Sequence, residues 1–255
     1  MPKADEGAFD RRPLHQRIAA DLRDEIMSGD LGPGVSLPST QRLKERFDAS
    51  NATIQKALQV LKDERLVVGR AGAAVTVREH RQETVRPADF GQPAEPGRPY
   101  RWLTEADRQG KRGSIELLNV AEVRPPRDVA VHLEPGETGT AVMRRQLLMH
   151  DGEPVELVTS YYPLELARGT ALAEPRKIRG GTPTLLAEMG FPPRRTVDRV
   201  SARVPTPEQY EALRLPSDLP ILRTLRVVYS DNDRPIEVTL MAKAGHLYEL
   251  QYEFG

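Results

Sequence analysis

No cysteine occurs in the 255 residues. That excludes disulfides, thiolate metal sites and cysteine nucleophiles together, and it suits a reducing compartment such as the cytoplasm. Nor is there a surplus of charge, because 37 Lys and Arg face 37 Asp and Glu. Duplex affinity rests on a basic footprint, so a nucleic-acid partner would have to be met by a local patch and by dimerisation. Residues 1–80 hold thirteen basic against twelve acidic side chains, so the front of the chain is scarcely basic either. No apolar run approaches a membrane span, and the polar start at Met1–Asp10 lacks the pattern of a secretory signal. No membrane partner is expected. Signals for chemistry are equally few. There is no glycine-rich phosphate loop, no His-x-x-x-His pair, and the five His are scattered without metal-ligand spacing. No catalytic residue, metal or cofactor is expected.

What is present divides the chain in two. Leu14, Ile18, Leu22 and Ile26 recur every four residues, an apolar stripe at helical period, with Pro13 at its start and Gly29 at its end. After a turn-rich stretch from Gly32 to Pro38, Ser39 fits the N-cap of a second helix whose core contacts are Leu43 and Phe47. Asp48-Ala49 makes a tight turn, and Ser50 caps a third helix. Ile54, Ala57, Leu58 and Leu61 form its buried face, which leaves Asn51, Thr53, Gln55, Lys56 and Gln59 outward. From Leu66 to Val77 the period becomes alternating around a glycine-containing tip, a two-stranded hairpin. Three helices and a hairpin are a winged helix-turn-helix, whose third helix lies in the major groove.

These residues carry a resemblance. Pro13-Leu14, Ser28-Gly29-Asp30-Leu31, Pro33-Gly34, Leu37-Pro38-Ser39 and the run to Leu61 resemble the winged helix of the GntR family, over about residues 11–78. The resemblance implies double-stranded operator DNA as a partner. The implied contact set is Ser39, Gln41, Arg42, Ser50, Asn51, Thr53, Gln55 and Lys56, with Arg70 and Gly72 on the wing. Gln41, Asn51 and Gln55 stand where relatives usually carry Arg, and Ala73 where the wing is usually basic. Gln and Asn can pair bidentately with adenine edges, so an altered operator preference is expected.

Residues 79–99, rich in Pro, read as a linker, with His80 a solvated linker residue. Beyond it lies a repeat with an offset of 81 residues: Val123 and Val204, Pro126 and Pro207, Pro135 and Pro216, Arg145 and Arg226, Pro154 and Pro235, Glu156 and Glu237. Each copy reads as strand, Pro-initiated helix, strand, polar turn, strand, which predicts one antiparallel sheet with internal pseudo-symmetry.

Asp151-Gly152-Glu153-Pro154-Val155, Thr159-Ser160-Tyr161-Tyr162-Pro163, Arg234-Pro235-Ile236-Glu237 and Tyr248-Glu249-Leu250 resemble the UTRA effector domain of the HutC branch of GntR regulators. That resemblance implies a chorismate-lyase-like fold over residues 100–255. The expected class is thus α+β in two domains, a winged helix-turn-helix followed by this antiparallel sheet domain. It also implies a homodimeric regulator, a repressor in its commonest form, that answers to a small-molecule effector. In relatives responsive to amino-sugar phosphates, two arginines and a glutamate hold the ligand. Gln146, Leu148 and Val158 align with those positions here, so a sugar phosphate is not expected. The effector set expected instead is Arg144, as anion anchor, with Gln146, Glu156, Ser160 and Glu237. Arg144 reads equally as a structural ion-pair partner, and Ser160 as an ordinary polar strand residue. Two other functions stay open: an enzyme using Glu156 and Glu237, and an effector-independent DNA binder whose second domain only dimerises.

Overall fold

A computed structural model describes residues 10–69, 74–78, 83–87, 90–95, 97–134, 136, 139–216 and 219–253. The expectations placed on Arg70, Gly72 and Ala73 at the wing tip, on His80 and on Pro135 fall outside these residues. The chain forms two compact units, residues 1–83 and 84–255.

In the first unit α1 (Leu14–Ser28), α2 (Thr40–Phe47) and α3 (Asn51–Asp63) precede a hairpin of β1 (Val67–Val68) and β2 (Thr76–Val77). The helical stripes supply the core: Ile18, Leu22 and Ile26 meet Leu43, Ile54, Leu58 and Leu61, closed by Leu37, Leu66 and Val77. Each such side chain contributes about 1.5–3 kcal/mol by leaving water. Leu14, the first member of the stripe, stays exposed. Gly29 ends α1 at φ 93°, the left-handed conformation that favours glycine. Asp48 takes the same region at φ 46° and turns the chain from α2 to α3. Ser39 and Ser50 cap α2 and α3, their hydroxyls accepting from Arg42 N and Thr53 N at 3.3 and 3.2 Å. Glu64, fully buried beyond α3, is held by the Arg23 guanidinium of α1 through bonds of 2.8 and 2.6 Å.

The second unit contains β3 (Glu83–Val85) from its second residue on, α4 (Arg101–Arg108), β4 (Gly113–Val123), α5 (Arg127–Leu133), β5 (Ala141–His150) and β6 (Glu153–Pro163). Then come α6 (Leu164–Ala167), α7 (Thr182–Glu188), β7 (Arg195–Arg203), α8 (Pro207–Ala212), β8 (Ile221–Tyr229), β9 (Pro235–Ala244) and β10 (Tyr248–Leu250). Six strands form one antiparallel sheet in the order β4-β5-β6-β9-β8-β7. On one face α5 buries Val129 and Leu133 against Met143, Tyr161, Leu225 and Val238. Arg145 and Arg223 tie that face to Glu208 of α8 and Asp128 of α5. On the other face, Trp102 of α4 and the segment through α6 and α7 pack over Leu148, Val142 and Tyr162.

Two expectations differ from this arrangement. The stretch assigned to a linker is partly built into the second unit. There β3 pairs with β10, Gln251 N donates to the Val85 carbonyl at 2.9 Å, and Arg226 donates to the Pro87 carbonyl at 3.3 Å. Proline fixes extended backbone whether that backbone is solvated or packed, so composition alone cannot separate the two. The 81-residue offset, for its part, holds the face on β6 and β9 but not on β5 and β8. Arg145 bonds Glu208 on the helical face while Arg226 lines the opposite one, because one residue of slip turns a strand side chain over.

Candidate nucleic-acid interface and interior cavity

The outward side of α3 presents Asn51, Gln55, Lys56 and Gln59 to solvent, with Thr53 half-buried. The hydroxyls of Ser39 and Ser50 are engaged as caps, and Ser50 Oγ also lies 2.9 Å from Thr53 Oγ1. Gln41 donates to Glu45 at 2.7 Å, and Gln59 to Asp63 at 2.7 Å. The side chains of Arg42, Asn51, Gln55 and Lys56 have no partner among the described residues. Arg46 is committed otherwise, ion-paired with Glu25 and set over the Phe47 ring at 4.7 Å. One end of the unit therefore offers unengaged donors and acceptors on a helix whose other face is fixed in the core. That is what reading base edges in a groove requires.

The second unit encloses a cavity of about 570 Å³ on the face away from α5. Strand alternation builds its floor in rows. One row is Leu148, Glu156 and Lys243; the next is Gln146, Val158, Met241 and Thr224. A third runs Arg144, Ser160, Thr239, Arg226 and Asp198, and Glu237 with Val228 begins the fourth. Phe90, Tyr100, Trp102 and Leu103 line it from outside the sheet, and Gly180 to Pro183 from the start of α7. Tyr100 lies so close to Gly181 that a Cβ there would come within 2.5 Å of its ring. Burial, then the carboxylates Glu237 and Glu156, pushes the Tyr100 phenol well above its ordinary range. Tyr162 moves the same way through burial and then Glu237, so both phenols stay neutral.

Four of the five side chains expected to hold an effector line this cavity: Gln146, Glu156, Ser160 and Glu237. Arg144 does not. Its strand position is on the cavity face, but the chain beyond α6 covers it, leaving it 1% exposed. Its guanidinium donates to the carbonyls of Ala171, Leu172, Glu174 and Arg176 at 3.2, 2.8, 2.8 and 2.6 Å. With those donors spent on backbone, Arg144 is a clamp on the 171–176 loop and not an anion anchor. Burial lowers its pKa, and no acidic side chain pairs with it among the described residues.

Residues missed in the sequence complete the site. Thr239, Met241 and Lys243 continue the alternation that begins at Glu237, so the period-two pattern of β9 already pointed to them. The aromatic wall at Phe90, Tyr100 and Trp102 carried no such signal. Glu156 and Glu237 do not approach each other. Glu237 lies six residues along β9 from Lys243, the cross-strand partner of Glu156, which is roughly 20 Å at the usual strand rise. Paired-carboxylate chemistry works at separations of about 5–10 Å, so this pair cannot perform it.

Residues 108–249 match the UTRA domain family, and residues 14–77 match the bacterial regulatory proteins of the gntR family. The chain is 24% identical over 253 residues to an uncharacterized HTH-type transcriptional regulator of Streptomyces coelicolor, covering 96% of this chain and 93% of that protein. It is 25% identical over 247 residues to the HTH-type transcriptional regulator GgaR of Escherichia coli, covering 94% and 91%. A crystal structure assigned to a GntR-family transcriptional regulator matches with a TM-score of 0.60 at 25% identity, over 96% of this chain and 98% of that one. PhnF from Mycobacterium smegmatis shares the fold, with a TM-score of 0.58 at 21% identity over 93% and 99%.

Proposed function

The chain belongs to the GntR family of bacterial regulatory proteins, as a DNA-binding transcriptional regulator with a UTRA effector domain, and from that premise we propose that it is a homodimeric repressor released by a small molecule held in the second unit's cavity. In this proposal each α3 reads one half-site of a palindromic operator. Asn51 and Gln55 address base edges, Lys56 and Arg42 the phosphates, and the exposed ends of α2 and α3 near Ser39 and Ser50 sit against the backbone. Gln146, Glu156, Ser160 and Glu237 contact the effector. For the effector to switch the protein, it must bind the DNA-competent and DNA-incompetent arrangements with different affinity.

The observation that carries the proposal is the cavity itself. Its volume falls within the roughly 300–1,000 Å³ usual for small-molecule sites, and polar groups converge on it from the four central strands. A domain serving only to dimerise would have filled that space with side chains. Fluorescence anisotropy of the full chain on genomic fragments, with and without a protein-free metabolite extract, tests the proposal. Tight binding to a few fragments, weakened by the extract, is expected. Binding indifferent to both sequence and extract would overturn it.

A further inference from the structure

Four charged side chains line the cavity from the buried sheet: Glu156, Lys243, Arg226 and Glu237, none more than 9% exposed. Three are neutralised within the protein. Lys243 is ion-paired with Glu156, and Arg226 donates from Nε and Nη2 to the two carboxylate oxygens of Asp198, 2.7 Å each. Glu237 differs. Its Oε1 accepts from the hydroxyls of Ser160, Tyr162 and Thr239 at 2.9, 3.1 and 2.7 Å, and no cation pairs with it among the described residues. All three donors converge on one oxygen, which leaves the second for another partner. Arg144, the third buried cation of this face, spends its guanidinium on the loop carbonyls, so Glu237 is the one cavity-lining carboxylate without an ion pair among the described residues, and a ligand's positive charge would be held there through a charge-assisted bond.

We propose that the cavity takes an organic cation, an ammonium group on an apolar or aromatic body, with the ammonium at Glu237. This inference deepens the reading of the cavity as the effector site and rests on it. The body of such a ligand meets Val158 and Met241 on the sheet and the rings of Phe90, Tyr100 and Trp102 opposite, where ring faces add to the attraction for a cation. An anion finds no such place. Both cations that line the cavity from the sheet are already paired, Arg144 is turned into the 171–176 loop, and Lys177 and Arg179 are exposed, where water and salt screen them.

Isothermal titration calorimetry of the full chain tests the charge directly. The probes are phenethylamine, tryptamine and hexylamine, each set against the alcohol and the carboxylate with the same body. At least one amine should bind about tenfold or more tighter than its alcohol, with its carboxylate weaker still, as expected for a charge-assisted bond to a buried carboxylate. Glu237→Gln should bring amine and alcohol to similar affinity. Carboxylates binding as well as amines, or no amine binding at millimolar concentration, would overturn the assignment of ligand class. The wild-type comparison decides the matter even if Glu237→Gln does not fold. The broader reading has its own arm, because an operator response to the metabolite extract survives failure of the amines.

Discussion

The two units use their interiors in opposite ways. In the first, the core is apolar apart from the Arg23–Glu64 pair, and the unengaged polar groups lie outside on α3. In the second, the sheet's cavity face buries Glu156, Glu237, Lys243, Arg226 and Arg144. A reader of DNA must present its donors to a partner wider than itself, so its function sits on a surface held rigid from behind. A receptor for a small molecule must surround it, so its function occupies the space a core would fill. Mutations should accordingly separate stability from function differently in the two units. They separate cleanly in the first unit, and in the second they do so only residue by residue.

The largest expected effect is at Arg144. Arg144→Leu leaves one buried and three part-buried carbonyls without this donor, the buried one costing about 1–3 kcal/mol and the others less, so a loss of about 4 kcal/mol is expected. Urea unfolding followed by the fluorescence of Trp102, the single tryptophan and a member of the second unit, measures it. A shift below about 1 kcal/mol would mean that the loop carbonyls are hydrated and that Arg144 is free for other work. Ile54→Ala should come next, at about 3 kcal/mol for a buried side chain truncated in the head. It should move the far-UV circular dichroism transition of the helices while leaving the Trp102 transition in place. Joint movement of both would show that the units unfold together.

Smaller still is Ser50→Ala, which removes the cap of α3 and is expected to lower head stability by about 1 kcal/mol. Heat unfolding of the pair Ser50→Ala and Ser50→Asp checks this, because Asp restores the cap and should recover most of the loss. The smallest effect belongs to the surface. Lys56→Ala should reduce the slope of log affinity against log salt by about 1 and weaken all duplexes alike. Gln55→Ala should leave that slope unchanged. Identical behaviour of the two variants would blur the distinction between phosphate and base contacts on α3.

The head was the more legible unit because its signals are local. Pro13, Gly29, Ser39 and Ser50 mark helix ends through backbone geometry within three or four residues, and the apolar stripes name the buried face directly. The cavity was legible only as far as the repeat and strand alternation carried it. Glu156 and Glu237 stood out as mates in the 81-residue repeat and Ser160 within Thr159–Pro163, while a period of two fixes that Arg144 shares a face with Gln146. Yet the partners of Arg144 are carbonyls 27 to 32 residues away, and nothing near it in sequence announces them. The aromatic wall lay hidden for a related reason. Phe90 and Tyr100 sit in or beside the proline-rich stretch, and their role depends on how that stretch lies over the sheet.

If α3 reads sequence, selection from a random duplex pool with the full chain will reveal it. The expected result is enrichment of a palindromic site bound about a thousandfold or more tighter than random duplex, with Gln55→Ala relaxing the preference at one position of each half-site. No enriched sequence, or one that Gln55→Ala selects identically, would contradict it.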